Sequence, residues 1–334
     1  MVTIREVARA AGVSVATASR ALNESRHVTE ETRRRVRRAA TRLSYSPHGA
    51  ARSLSTSRTH TIGVLLPDLY GEFFSELIRG IDHAAHGGGF HCLVASALHR
   101  GPLLEAALRS MRGRVDGLLL MCPEFTSELS GRTLPVRFPV VLLNCPRSAS
   151  QCDSLAVANY EGAHAMVSHL AGLGHRRIAI IRGAEGNFDA AERLRGYREA
   201  LGEAGLPAAP ELEAPGDFGE ESGYGAVQAL LARARPPTAI FAANDSMAIG
   251  ALSALREAGR RVPEDMALGG FDDIPMARYL APALTSVHVD IAKLGERAVT
   301  RLLGSLGEPA DREPLRETVP ATLVVRRSCG ARSP

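Results

Sequence analysis

Thr3-Ile4-Arg5-Glu6-Val7-Ala8-Arg9-Ala10-Ala11-Gly12-Val13-Ser14-Val15-Ala16-Thr17-Ala18-Ser19-Arg20 is the stretch that decides how this chain begins to fold. Thr3 followed by Glu6 spells a capping box, and Ile4, Val7, Ala8 and Ala11 recur at helical spacing behind it. Gly12 stops that helix, and Ser14 caps a second one running to about Asn23, with Ala18 and Leu22 facing inward beside Val13. Two short helices joined by a tight glycine-containing turn form a helix-turn-helix. A third helix follows Thr29; on it Val36, Ala40 and Leu43 close a miniature core, while Arg33, Arg34, Arg35, Arg37, Arg38 and Arg42 cover much of the remaining surface.

The charge supports this reading. The first sixty residues hold twelve arginines, no lysine and four acids, a formal +8, whereas the whole chain is +4, which leaves −4 for the rest. Positive charge concentrated at one end suits a phosphate backbone. In a helix-turn-helix the second helix enters the major groove, which makes Val15, Ala16 and Arg20 the expected base-reading residues. Arg20 can fork onto guanine O6 and N7, and the small apolar pair can approach thymine methyls. Thr3, Ser14, Thr17, Ser19, Asn23, His27 and Tyr45 carry short or tipped polar groups suited to phosphate oxygens.

With 334 residues and 45% apolar content, the chain fits a small head plus a large two-lobed body. Cys92, Cys122, Cys145, Cys152 and Cys329 are an odd set without C-x-x-C spacing, which argues against a disulfide framework or a zinc site and for a reducing compartment. The N-terminus lacks a signal h-region and no apolar run reaches membrane-spanning length, so a cytoplasmic location without membrane association is expected. No cofactor or metal is called for. A phosphate loop, a G-x-S-x-G elbow and an H-E-x-x-H pair are missing, and His83, His86, His91 and His99 share no ligand spacing; the expectation is a protein that is not an enzyme.

From Thr61 short apolar runs alternate with amphipathic stretches, the pattern of parallel sheets with helical crossovers. Strands are expected at Ile62 to Leu66, Cys92 to Ala95, Gly117 to Met121, Val140 to Leu143, Ile178 to Ile181, Ala239 to Phe241, Ala267 to Gly270 and Thr285 to Val287. Between head and body, residues 47 to 58 place Pro, Gly, Ser and Thr around one apolar stretch too short for an independent helix.

The head resembles that of the lactose-repressor/purine-repressor family of bacterial transcription regulators. The resemblance continues through Ser44-Tyr45-Ser46-Pro47, Ala51-Arg52-Ser53-Leu54 and Thr61-Ile62-Gly63-Val64, and on to the C-terminus. It implies an α/β chain: an all-α helix-turn-helix head over residues 1–46, a hinge helix over 47–59, and over 60–334 two doubly wound lobes similar to periplasmic sugar-binding proteins. The N-lobe is expected at about 60–158 and 290–319, the C-lobe at about 159–289 and 320–330. It also implies a homodimer on double-stranded operator DNA. In the family Leu54 wedges into the minor groove, here flanked by Arg52. His48 and Gly49 are weak helix starters, so hinge folding is expected to be less favourable than in relatives. The C-terminal Val325-Arg326-Arg327-Ser328-Cys329-Gly330 lacks a leucine heptad, which points to a dimer and not a tetramer.

The same resemblance implies a repressor whose operator affinity is controlled by a small effector between the lobes, with Phe73, Phe74, Asn144, Arg193, Phe218, Asn244 and Asp272 as binding residues. Aromatic faces with an arginine and polar partners point to a sugar or sugar derivative; the alternatives are a nucleoside or purine, and corepressor instead of inducer logic. Purine-responsive members carry an arginine where this chain has Asn187 and a tryptophan where it has Cys145, which disfavours a purine. Ala158 replaces an aspartate that many relatives carry before the asparagine matched by Asn159, so one lobe-crossing contact is expected to be missing. A stand-alone sugar-binding receptor would need a secretion signal and no basic head. A DNA-binding protein without a ligand would have no use for Arg193 and Asp272 in a cleft.

Overall fold

The computed structural model describes residues 2–22, 27–45, 58–96, 101–121, 138–145, 152–306 and 313–331. Asn23 and the hinge residues Arg52 and Leu54 lie outside them. The chain divides into a compact head, built on residues before Thr61, and a compact body from there on.

In the head, α1 (Ile4–Ala11), α2 (Val15–Leu22) and α3 (Glu30–Arg42) surround a core of Val7, Ala8, Ala11, Ala18, Ala21, Val28, Val36, Ala39 and Ala40. Alanines dominate because three short helices must approach closely to close so small an interior. The capping box is formed: the Thr3 backbone N–H donates to Glu6 Oε2 at 2.7 Å. Gly12 ends α1 in the left-handed region at φ 61°, where a Cβ would be strained. Ser14 Oγ accepts from Thr17 N at 3.1 Å, and Thr29 caps α3.

The body holds two six-stranded sheets. The first is all parallel, in the order β11 (Arg316–Val319), β5 (Asp153–Val157), β4 (Val140–Leu143), β3 (Gly117–Met121), β1 (Thr61–Leu66), β2 (His91–Ser96). The second repeats the pattern as β12 (Thr322–Val324), β10 (Thr285–His288), β9 (Ala267–Asp272), β8 (Ala239–Ala242), β6 (Ile178–Ile181), β7 (Glu213–Ala214), with β12 alone antiparallel. Strand membership shows the chain passing between sheets after β5, after β10 and between β11 and β12. The central strands are buried on both faces and read as continuous apolar runs, as helix-covered parallel strands must.

The helices, in chain order, are α4 (Glu72–Gly87), α5 (Gly101–Met111), α6 (Asn159–Gly172), α7 (Phe188–Glu203), α8 (Glu220–Leu231), α9 (Asp245–Glu257) and α10 (Ile291–Ser305). Reciprocal glycines set their crossings. A Cβ on Gly223 of α8 would overlap the backbone of Met247 in α9, and one on Gly250 of α9 would overlap that of Glu220 in α8. The starts of α8 and α9 are thereby held side by side, which brings the Phe218–Glu220 and Asn244–Ser246 segments together. Among the described residues no helix is long and apolar enough to cross a membrane.

Candidate functional site

The two sheets share one strand order, and each has its switch point where crossovers leave β1 and β3, or β6 and β8, in opposite directions. The C-terminal ends of these strands face a cleft of about 300 Å³ lined by both lobes. From the first lobe come Pro67, Asp68, Tyr70, Gly71, Phe73, Phe74 and Met121; from the second come Asn187, Asp189, Arg193, Asp217, Phe218, Gly219, Glu220, Asn244, Ser246, Asp272 and Ile274.

Phe73 and Phe74 open α4 and meet edge to face, ring centroids 5.4 Å apart at 89°. Each is half-buried against the body core, leaving part of its face to the cleft. Opposite them Phe218 lies over Gly183, where a Cβ would overlap its ring. Phe218 takes φ 75° and Asp272 φ 102°, conformations that cost about 1–3 kcal/mol each and that the surrounding bonds must hold. For Phe218 the holding bond is its carbonyl, which accepts from Asn244 Nδ2 at 2.9 Å.

Arg193 is the centre of the second lobe's contribution. It projects from α7 and is only 4% exposed. Its Nε donates to Asn159 Oδ1 at 2.7 Å, its Nη2 to Asp272 Oδ1 at 3.2 Å, and its Nη1 to the Ala243 carbonyl. The guanidinium carbon sits 3.7 Å from the centroid of the Phe271 ring. A buried arginine engaged on all three nitrogens and one face is oriented before any ligand arrives.

Burial raises the carboxyls around it. Asp189 is pushed up to about 7 by desolvation and by Asp272, with Arg193, Asn144 and Asn159 pulling the other way. Asp272 is pushed up to about 6 by desolvation against the same arginine. Asp245 is raised well above the carboxylate range by burial and by Asp272. It accepts from Ser286 Oγ at 2.6 Å and from Ile274 N at 2.9 Å, which fixes the loop carrying Ile274.

Not every expected residue is placed alike. Arg193, Asp272, Phe73, Phe74 and Phe218 converge on the cleft. Asn244 also lines it, but its Oδ1 accepts from Met247 N at 2.9 Å as the cap of α9 and its amide is tied to Phe218, so it builds the wall. Asn144 is not among the lining residues: it is 1% exposed at φ 50°, accepts from Val157 N at 3.1 Å, and reaches from the first lobe to Asp189 in the second. Asn159 donates to Asp189 Oδ1 at 2.8 Å beside its bond from Arg193; all three residues belong to the second lobe, so this contact does not replace the lobe-crossing one expected to be missing at Ala158. Asn187 caps α7 by accepting from Ala190 N at 2.9 Å. A further link spans the lobes where Glu72 Oε2 accepts from Met276 N at 2.9 Å.

Sequence reasoning missed Asp189. It reads as one more acid in a helix's first turn, where the dipole favours any acid. The available signal was its i,i+4 spacing to Arg193, which puts both on one face of α7. Tyr70, Asp217 and Glu220 were likewise passed over, being polar or exposed loop-end residues.

In the head, Val15 is 43% exposed although apolar, Ala16 is exposed beside it at the start of α2, and Arg20 is exposed in the last turn of the same helix. Thr3, Ser14 and His27 are exposed, Thr17 and Ser19 half-buried. Tyr45 packs partly against the head core.

The head matches the model of bacterial regulatory proteins of the lacI family over residues 3–48. Residues 167–329 match a periplasmic binding protein-like domain. The HTH-type transcriptional repressor PurR of Erwinia tasmaniensis is 38% identical over 331 residues, covering 98% of this chain and 97% of that protein. The chain belongs to the lacI family. It is a DNA-binding transcriptional repressor. PurR of Pasteurella multocida is 34% identical over 334 residues, covering 99% of this chain and 100% of its own length. Among solved lacI-type structures, the Lac repressor dimer bound to operator and the anti-inducer ONPF superimposes with a TM-score of 0.89 at 29% identity, over 99% of each chain. The complex of the transcriptional regulator CelR with cellobiose gives 0.75 at 34% identity, over 98% of this chain and 100% of the other.

Proposed function

We propose that this repressor works as a homodimer in the cytoplasm on a pseudo-palindromic operator, and that a small polyhydroxylated molecule, a sugar or sugar derivative, changes its operator affinity by binding between the lobes. One short recognition helix reads too few bases, so two copies on half-sites about 34 Å apart supply the specificity. Val15, Ala16 and Arg20 read bases; Thr3, Ser14, Thr17, Ser19, Asn23, His27 and Tyr45 hold phosphates; Arg52 and Leu54 act in the minor groove.

The observation that carries the effector reading is the composition of the cleft: aromatic faces from both lobes around a preset guanidinium and carboxylates. Such a lining offers stacking surfaces, donors and acceptors to a ring of hydroxyls, and an apolar ligand would strand the polar groups. Because the lining comes from both lobes, a ligand there favours one degree of closure over another, which is the two-state element that coupling requires. A purine or nucleoside is the second reading, favoured by the relatives named PurR and by the number of aromatic walls. Against it, Asn187 is spent as a helix cap and offers no charge.

The test is a metabolite panel scored by thermal stabilisation of the full chain, followed by operator titration with each hit. Stabilisation by sugars together with a shift in operator affinity is expected. Stabilisation by purines alone would replace the sugar reading, and a protein that sediments as a monomer on operator would remove the dimer.

A further inference from the structure

Among the described residues the charges lining the cleft do not balance: Asp68, Asp189, Asp217, Glu220 and Asp272 stand against one cation, Arg193. That cation is already engaged by Asp272, Asn159 and the Ala243 carbonyl, with Phe271 beneath it. Asp189 is 6% exposed and its hydrogen bonds come from the carboxamides of Asn144 and Asn159, which supply donors but no charge. Burial and the nearby Asp272 lift its carboxyl to about 7, and burial lifts that of Asp272, the partner of Arg193, to about 6, so Asp189 becomes an anion as pH rises through 7, facing carboxamides that bring no counter-charge.

The aromatic-walled cavity is the binding site already described; the acids decide which charge class enters it. A hydroxyl brings a donor and no charge. A phosphate or carboxylate brings charge of the wrong sign to a place where water is excluded and repulsion is strong. An ammonium brings three donors and the missing charge together.

We propose that the ligand carries a protonated amine that seats against Asp189 and Asp272, so that the cleft selects an amino sugar or comparable aminated polyol and rejects sugar phosphates and sugar acids. This rests on the reading of the cleft as a polyol site. Asp189 is then the specificity-determining residue. The acids at the mouth, Asp217 and Glu220, draw the cation in, and the aromatic walls cover its ring.

The experiment uses the full chain and sets of glucose, galactose and mannose, each with its 2-amino and 6-amino deoxy counterparts and its 6-phosphate. Calorimetry at pH 7.5 is expected to show at least one amine binding about 10-fold or more tightly than its parent hexose, with no binding of the phosphates. Asp189→Asn is expected to bring that ratio to about one. In the wild type the amine's advantage shrinks between pH 7.5 and 5.5, as Asp189 and Asp272 take up protons. Should Asp189→Asn fail to fold, Asp189→Ser and the wild-type pH series carry the same test. A hexose that binds as tightly as its amine, a phosphate that binds, or a ratio that survives loss of the carboxylate overturns the inference and leaves the polyol reading standing. If no member of any set binds, both fall together.

Discussion

The head and the body expose their candidate functional residues to opposite degrees. On the head, Val15, Ala16 and Arg20 stand in solvent and contribute nothing to the core formed by Val7, Ala18, Val36 and their neighbours. In the body, Arg193 and Asp272 are each 4% exposed and hold one another, and Asn244 both lines the cleft and caps α9. A surface that must meet a rigid, hydrated duplex can be laid over an independent fold. A site that must enclose a small molecule has to be made from the interior, so its residues are structural as well as functional. Substitutions should separate binding from stability in the head and fail to separate them in the body.

The largest break is expected at Arg193. Arg193→Ala removes a buried cation and leaves Asp272 without its counter-ion, a change that costs about 3–5 kcal/mol, readable as a lowered denaturant midpoint with an unchanged slope. The pH dependence of the same site gives a second handle. Asp189 and Asp272 have folded pKa values of about 7 and about 6, above the unfolded carboxylate range. The folded state therefore binds their protons more tightly, and their contribution is fully present below about pH 4 and lost as pH rises through 6 and 7. Stability of the wild type relative to Asp189→Asn should fall across that window and stay level above it; a difference that rises with pH would mean that the carboxylate is stabilised by its surroundings.

The head should behave otherwise. Arg20→Ala is expected to cost about 1–3 kcal/mol at one base position and to relax preference there, with the unfolding curve unmoved. A binding-site selection that returns the same motif for both proteins would take Arg20 out of base reading. Smallest is Thr3→Ala, which removes half of the capping box on α1 and should cost the head about 1 kcal/mol, detectable as reduced helicity on heating.

How much of this was legible in the sequence also divides along burial. The head's caps, stop and core faces are local signals, and α1 to α3 follow them closely. The interior strands of both sheets, β5 excepted, announce themselves as apolar runs. The strands that escaped notice are β5, β7, β11 and β12. β5 opens on Asp153, a charge that reads as loop until Arg301 Nε and the Leu315 N–H are seen to satisfy it. β7 is two residues long, and β11 and β12 are edge strands bearing polar or exposed positions, for which pairing partners and not composition decide the conformation. In the cleft, residue types pointed to Arg193, Asp272 and the phenylalanines, but only three-dimensional contacts separate Asn244 the wall from Asn144 the lobe link, or raise Asp189 from an ordinary first-turn acid to a buried group of the site.

The central claim is that the cleft around Arg193 is where a ligand changes operator affinity. It is tested most directly by titrating labelled operator with the wild type and with Arg193→Gln, each with and without a panel compound that stabilises the wild type. The account predicts that Arg193→Gln binds operator as the wild type does in the absence of ligand and shows no shift when the ligand is added. A variant that still shifts by the wild-type amount would place the regulatory site elsewhere.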